Sequence, residues 1–519
     1  MTDSLRIAFV HFAPEHGNKE KNLETLLALN AGAAEKGARI LLNTELACSG
    51  YTFRNRQEVG SVTEEIPGST TDAFAALARN YGAYVAFGMP ETTALTRMYY
   101  NSGVMLDPAG NLALRYRKIN TEIRWACPGS PYQKNVVRTP WGRIGLLVCS
   151  DAYHSLIPRV TALRGADLVL VPANWPTSGL DPRRIWRARA RENGFYLAVC
   201  NRGGYEPHLD ARNSHSGLYT PEGEVLMENS VPESGVFLCD LPLKHGRIRP
   251  GGVRKLKRKR RPELYHDVYL DLRSVRDLTS FYELPEPGPV TFAAVPVPGS
   301  LDRSELLEMV HRKLGEVSGK VEVAVLPGAL LRSSRLSETS EMFDRFEEMA
   351  GEFNMMICWG HEETLSDGVL RYVNKVRPGA KTESRRDSHF IKDVRRSPGS
   401  LLPDLTDNGA ARIGVGSVDE FLQPEVSICL SKLGADFLLG CGNGFDAGDF
   451  DILATRAFDY THFAAAGWNW AFVALPPVEH TTWRTVLEKE RPIVETLDTS
   501  QVRVKRFQDR LDVGRLLEP

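Results

Sequence analysis

The chain has 519 residues, 64 Lys and Arg against 65 Asp and Glu, a formal net charge of -1 and 42% hydrophobic residues. That length accommodates about two to four domains of ordinary globular composition, and the near-neutral balance supplies no field that would draw nucleic acid or a membrane surface. Eight cysteines, none in C-x-x-C spacing, make no disulfide framework and point to a reducing, cytoplasmic setting. The amino terminus shows no secretory pattern, and no apolar run reaches the ~20 residues of a spanning helix.

Residues 7–12 read as a buried strand and residues 22–36 as a helix, with Leu23, Leu26, Leu27, Leu29 and Ala33 in helical spacing and Gly37 as its stop. A strand over 40–42 runs into Asn43-Thr44-Glu45-Leu46, a helix follows over 71–81 and a strand over 84–87. Strands over 98–106 and 112–116 flank the turn Asp107-Pro108-Ala109-Gly110. The stretch from Gly142 to Asp151 reads as a strand ending on a sharp turn that carries Cys149, with a helix through Leu156, Val160 and Leu163 and another buried strand over 166–172. Such a turn would aim the thiol at the N-terminus of the helix, whose dipole favours thiolate; the alternative is an ordinary buried core cysteine. A helix over 185–193, a strand over 195–200 and strands over 216–219 and 224–227 complete the pattern, which is α/β with a mixed sheet. The basic run over 254–261 reads as a solvated connector face, with a patch for nucleic acid or an acidic partner as the alternative, and Glu283 to Pro289 marks the break between domains 1–286 and 287–519.

From residue 290 the pattern replays. Arg143-Ile144-Gly145 matches Arg412-Ile413-Gly414 and Gly165-Ala166-Asp167 matches Gly434-Ala435-Asp436, both at an offset of 269 residues. Two copies of one domain follow. The chemistry does not repeat: Cys149 falls on Val418 and Glu45 on Gly328, so the second copy has neither nucleophile nor proton acceptor there.

Amide hydrolysis needs a nucleophile, a base for its proton, an oxyanion stabiliser and an acid for the departing nitrogen. Glu45, Lys118 and Cys149 each stand at a strand end, and strand ends in an open α/β fold converge on one crevice. Glu45 could serve as base and then acid, Lys118 could face the oxyanion, and the Ser150 backbone N–H could be a second donor. Taken singly, Glu45 also reads as a cap and Lys118 as a surface lysine.

The set Thr44-Glu45-Leu46 with Gly50-Tyr51, Tyr116-Arg117-Lys118, Val148-Cys149-Ser150-Asp151, Arg164-Gly165-Ala166-Asp167 and Pro172-Ala173-Asn174-Trp175-Pro176 closely resembles the nitrilase superfamily of carbon–nitrogen hydrolases. The resemblance covers about residues 5–240, with a diverged second copy over about 290–495. It implies two tandem four-layer αββα sandwiches forming an intrachain pseudo-dimer, a Glu45–Lys118–Cys149 triad, a thioester acyl-enzyme, and no metal or organic cofactor. Glu122, before Pro128-Gly129, looks like the family's second glutamate and would orient Lys118 and the attacking water. Tyr51, Trp125, Tyr153, Asn174 and Trp175 are candidates to line the substrate pocket; the lone His154 beside them reads as structural.

Asp151 two places after the cysteine favours an amide over a nitrile, because nitrilases of this superfamily tend to carry glutamate there; Ser150 departs from the aromatic usual in amidases. The expected activity is cysteine-dependent hydrolysis of a small carboxamide or N-carbamoyl compound with water, with conversion of a nitrile to acid and ammonia as the alternative. Family members pair across two-fold interfaces, so a homo-oligomer of the tandem chain stays open. An acyltransferase and a non-enzymatic scaffold are the remaining classes. Absence of spanning helices weighs against the membrane-bound acyltransferases, and the intact triad weighs against a scaffold.

Overall fold

A computed structural model describes residues 4–176, 180–249, 252–272, 275, 277–299, 301–333, 336–366, 368–389, 402–444, 447–477, 483–505 and 510–518. By internal contacts the chain divides into a first unit, Met1–Arg258 with Gln508–Leu516, and a second, Lys259–Phe507 with Leu517–Pro519. The division falls before the Glu283–Pro289 stretch, because the intervening segment is tied into the second unit. Arg260 Nε meets Glu425 Oε1 at 2.9 Å with both side chains fully buried, and Lys432 Nζ donates to the carbonyls of Val268 and Leu270 at 3.0 and 2.6 Å. The basic run is therefore not uniformly solvated: Lys257, Arg258 and Lys259 are exposed, Arg260 and Arg261 buried.

In the first unit the elements run β1 (Ser4–His11), α1 (Lys19–Glu35), β2 (Ile40–Asn43), α2 (Arg56–Gly60), α3 (Ser69–Tyr81), β3 (Tyr84–Thr92), β4 (Tyr99–Leu106), β5 (Leu112–Arg117), β6 (Val136–Thr139), β7 (Gly142–Leu146), α4 (Leu156–Leu163), β8 (Leu168–Pro172), α5 (Pro182–Asn193), β9 (Tyr196–Cys200), β10 (Tyr205–Glu206), β11 (Leu209–Asp210), β12 (Ser216–Tyr219), β13 (Val225–Asn229) and β14 (Gly235–Pro242). They build one sheet in the order β14-β1-β2-β3-β4-β5 and a second in the order β13-β12-β9-β8-β7-β6. β1, β2 and β3 are parallel, as are β7, β8 and β9, and the flanking strands are antiparallel. Period-two alternation explains the layering. Ala8, Val10, Leu41, Val85, Phe87 and Val104 pack with Leu26 and Ala33 of α1 and Phe74 and Ala78 of α3, while the alternate residues of β1 to β3 face β8 and β9 of the other sheet. α5 covers β9 and β12. The result is helices, sheet, sheet, helices, an αββα sandwich whose strands are buried on both faces.

Two boundaries differ from the sequence pattern for local reasons. α3 starts at Ser69 because Thr71 Oγ1 accepts the Gly68 N–H at 2.7 Å, capping the first turn. α5 starts at Pro182 because the Asp181 carboxylate accepts the Arg183 N–H at 3.0 Å; its Arg-rich first turn has no apolar period to reveal it.

The second unit repeats the strand order. Its strands are β15 (Pro289–Ala294), β16 (Val323–Val325), β17 (Leu331–Ser333), β18 (Met356–Leu365), β19 (Gly368–Val376), β20 (Glu383–Arg386), β21 (Leu405–Asn408), β22 (Ala411–Ser417), β23 (Phe437–Cys441), β24 (His462–Gly467), β25 (Trp470–Ala474), β26 (Thr485–Lys489) and β27 (Ile493–Asp498). One sheet runs β20-β19-β18-β16-β15-β27 and the other β21-β22-β23-β24-β25-β26, position for position the order of the first unit, with β17 an addition beside β18.

Candidate active site

Glu45 lies two residues past β2, on a turn where Leu46 has φ 48°. Gly88 of β3 makes the turn possible: a Cβ there would stand 2.7 Å from Glu45 Cα and 2.8 Å from Leu46 N. The Gly88 N–H donates to Thr44 O at 3.0 Å and the Ala47 N–H to Gly88 O at 2.9 Å, which fixes the turn against the strand. Lys118 follows β5; its N–H donates to Asn101 O at 2.8 Å and its carbonyl accepts the Gly129 N–H at 2.8 Å. Cys149 opens a short 3-10 turn (Cys149–Ala152) after β7 and holds φ 45°, a left-handed conformation that costs a non-glycine residue of order 1–3 kcal/mol.

Glu45 and Lys118 are in direct contact, and the Cys149 thiol lies within the electrostatic reach of both. Lys118 Nζ donates to Glu45 Oε1 at 2.7 Å and to Glu122 Oε1 at 2.5 Å, and all three side chains are at most 7% exposed. Asn101 Nδ2 bridges the two carboxylates, 2.8 Å from Glu45 Oε1 and 2.9 Å from Glu122 Oε2. The Tyr51 hydroxyl donates to Glu122 Oε1 at 2.9 Å, and Asn174 Nδ2 donates to the Glu45 carbonyl at 2.8 Å. Glu45 Oε2 is buried and, among the described residues, takes no hydrogen bond.

Electrostatics separate the two carboxylates. Burial raises Glu45, Lys118 opposes and Glu122 reinforces, and the net position is above the ordinary carboxylate range. Burial also pushes Glu122 up, but Lys118 and the hydrogen bonds from Asn101 and Lys118 outweigh it and hold Glu122 low. Desolvation would lower Lys118, yet the two carboxylates keep it well above its usual value. The Cys149 thiol is pushed up, first by burial and then by Glu45, while Lys118 and the Asn174 backbone amide pull the other way. α4 begins only at Leu156, seven residues past the sulfur, so its N-terminal dipole does not offset the upward push of burial on the thiol in the way that the sequence suggests.

The remaining pocket candidates divide. Tyr153 stacks on Trp175 with ring centroids 5.5 Å apart, and His154 meets the Tyr153 ring edge-on at 4.9 Å. The Trp175 backbone N–H donates to Asn201 Oδ1 at 2.9 Å. Trp125 is 2% exposed in a cluster with Leu46, Phe53, Val59 and Val62, against which Tyr51 packs. The Ser150 hydroxyl donates to Asn120 O at 2.8 Å.

Three residues to which sequence reasoning gave no role support this arrangement. Asn101 is a polar residue inside β4, which no motif marks; its signal is a fully buried amide in an apolar strand. Tyr116 donates to Asp151 Oδ2 at 2.6 Å. Glu206, 2% exposed and paired with Arg202, accepts from Thr52 Oγ1 at 2.9 Å and from the backbone N–H groups of Tyr51 and Thr52, each at 3.0 Å, and so fixes the loop that carries Tyr51.

In the second unit the matching backbone contacts identify the equivalent positions. The Gly360 N–H donates to Pro327 O at 3.0 Å as Gly88 does to Thr44, and the Asp387 N–H to Arg371 O at 2.9 Å as Lys118 does to Asn101. Gly328, Asp387 and Val418 therefore stand where the first unit has Glu45, Lys118 and Cys149. A Cβ on Gly328 would lie 2.6 Å from the Cys441 carbonyl oxygen, and one on Gly360 would lie 2.1 Å from the Gly328 carbonyl oxygen. Donor atoms of Asp387, His389 and Glu420 lie within 4.8 Å of one another. Glu420 is already committed: Arg385 binds both its oxygens at 2.8 Å, and a cation would have to displace that guanidinium. A separate cavity of about 650 Å³ beside β5, lined by Tyr100, Arg115, Arg117 and Lys134, includes none of Glu45, Lys118 and Cys149. Among the described residues no helix is long and apolar enough to cross a membrane.

A family model described as carbon–nitrogen hydrolase matches residues 6–247, wholly within the first unit. Over 242 residues the chain is 30% identical to a nitrilase of Pyrococcus abyssi, covering 46% of this chain and 90% of that protein. Over 263 residues it is 28% identical to an omega-amidase of Xenopus laevis, covering 48% and 92%. The crystal structure of an amidase from a Nesterenkonia species is 26% identical, covers 51% of this chain and 97% of its own, and superposes with a TM-score of 0.42. The chain belongs to the carbon–nitrogen hydrolase family, that is, to the nitrilase superfamily.

Proposed function

We propose that the first unit hydrolyses a non-peptide C–N bond of a small carboxamide or N-carbamoyl compound by way of a Cys149 thioester. The observation that supports this most directly is the buried Lys118 ammonium held between Glu45 and Glu122, in whose field the Cys149 thiol lies. Glu45, with one oxygen free and its carboxyl pushed up by burial, takes the thiol proton as sulfur attacks the carbonyl carbon. The oxyanion forms against Lys118 Nζ and the Ser150 backbone N–H. Glu45 returns the proton to the leaving nitrogen, the C–N bond breaks, and ammonia or amine departs from the thioester. Water then attacks the thioester, Glu45 accepts its proton, the C–S bond breaks to release the acid, and Glu45 returns the proton to the departing sulfur. Glu122 stays anionic and orients Lys118. Tyr51, Asn174, Tyr153 and Trp175 shape the acyl pocket, with Trp125 packed behind Tyr51. The second unit, without these groups, takes no chemical step in this reading.

An amide is preferred to a nitrile because Asp151 stands where nitrilases of this superfamily tend to have glutamate; the similarity to a protein named nitrilase keeps the nitrile as the alternative. Intact-mass analysis of the full chain with an amide and nitrile panel, beside Cys149→Ala, tests both. The expected result is an acyl adduct from an amide on the wild-type protein alone. Turnover that survives Cys149→Ala would refute the thioester, and adducts from nitriles only would select the alternative.

A further inference from the structure

The reacting groups come from opposite layers. Glu45, Asn101 and Lys118 belong to the sheet containing β1 to β5, with Glu122 close behind Lys118, whereas Cys149 follows β7 of the other sheet. The separation of sulfur and ammonium is therefore set by whatever joins the two sheets at this point. We propose that Asp151 is the positioning residue that sets it, pinning the end of β5 to the turn carrying Cys149. The proposal rests on the thioester reading above and adds a residue that does not touch the reacting atoms.

The Asp151 side chain is fully buried. Oδ2 accepts the Tyr116 hydroxyl at 2.6 Å and the Ile119 N–H at 2.8 Å, and Oδ1 accepts the Asn120 N–H at 2.7 Å. These three donors bracket Lys118. At its other end Asp151 is rooted beside the nucleophile: its own N–H donates to Val148 O at 3.0 Å, and the adjacent Ser150 hydroxyl donates to Asn120 O at 2.8 Å. A carboxylate suits the task because it only accepts, and two of its three partners are backbone N–H groups that can only donate, while the Tyr116 hydroxyl donates here. An asparagine would turn an N–H₂ toward at least one of them.

The second unit carries the same joint without the chemistry. At the 269-residue offset Asp151 becomes Glu420, Tyr116 becomes Arg385 and Ile119 becomes Ser388. Arg385 donates to both Glu420 oxygens at 2.8 Å, and the Ser388 N–H donates to Glu420 Oε1 at 2.9 Å. An acidic side chain two residues past the turn thus locks the sheets together in both units. In the first unit alone, the residues on either side of the lock are the sulfur and the ammonium.

The test compares Asp151→Asn and Tyr116→Phe with wild type in the full chain, well below their melting temperatures. Two readouts are taken: steady-state hydrolysis, and the pH profile of Cys149 alkylation by iodoacetamide followed by intact mass. A displacement near 1 Å costs about 100-fold in rate. Asp151→Asn should lower kcat by about that factor with KM within about threefold, and Tyr116→Phe should fall between it and wild type. As Lys118 withdraws from the sulfur, both alkylation profiles should move alkaline by at least about half a pH unit. Folded Asp151→Asn with wild-type kcat and profile would overturn the proposal. If that variant does not fold, Tyr116→Phe decides by the same criteria. The alkylation profile reads the joint even if hydrolysis is absent, whereas turnover by Cys149→Ala would sink the thioester reading, so the two failures are distinguishable.

Discussion

Gly88→Ala should separate the folding of the first unit from its chemistry. The added methyl carbon would lie 2.7 Å from Glu45 Cα, 2.8 Å from Leu46 N and 3.1 Å from Glu45 C, all backbone atoms that no rotamer change can clear. Non-bonded carbons rest at about 3.5–4.0 Å, so roughly an ångström must open between β3 and the Glu45 turn. Leu46, already at φ 48°, has little room to absorb it, and retreat of the turn as a whole breaks the two Gly88 hydrogen bonds. Overpacking of this kind costs about 1–3 kcal/mol of stability. A shift of about 1 Å in the proton-transferring carboxylate should cost on the order of 100-fold in kcat. The assay is ammonia release from the amide found in the adduct screen, beside thermal unfolding followed by near-UV circular dichroism. The reasoning fails if the variant melts lower yet turns over within threefold of wild type, because the turn would then have moved without consequence for the reaction.

Lys118→Met leaves two buried carboxylates without their counter-ion and should cost about 3–5 kcal/mol at neutral pH, with the deficit shrinking in acid as they protonate; equal urea midpoints at neutral pH would contradict this. Tyr51→Phe removes one hydrogen bond to an anionic carboxylate, about 1.5–3 kcal/mol at most, and should lower kcat about tenfold with the fold intact; unchanged kcat would remove Tyr51 from the site. His11, buried with Nδ1 2.9 Å from the Ser216 hydroxyl, is lowered to about 4, first by burial. Its neutral form is favoured in the folded state, so the contribution is complete above the unfolded value near 6.5 and is lost as pH falls toward 4, on the order of 3 kcal/mol. Melting temperature across that window should fall less steeply in His11→Asn than in wild type; parallel curves would refute the assignment.

The layered architecture was legible because strand and helix periods are local properties: residues 7–12, 84–87 and 166–172 each carry a short apolar run whose length and flanking residues favour a buried strand. The Glu45–Lys118 contact could be anticipated because both residues stand at strand ends. Asn101 and Glu206 could not. Each is defined by a partner far away in the chain, at Glu45 and Glu122 for the amide and at Tyr51 and Thr52 for the carboxylate, and no spacing rule links such pairs. The upward push of burial on the Cys149 thiol was also hidden, since it depends on packing that the turn pattern does not reveal. The basic run misled for the same reason: the partner that buries Arg260 is Glu425, which only the folded chain brings near.

The glycine pair Gly328 and Gly360 has a consequence for attempts to awaken the second unit. Writing Glu, Lys and Cys back at 328, 387 and 418 would not recreate a working centre, because the main chain has moved into the volume that the carboxylate stem needs. The Cys441 carbonyl stands 2.6 Å from the first atom that such a stem would add. The obstacle there lies in the backbone path, which would have to be reshaped at Gly328 and Gly360 before any such side chain is installed.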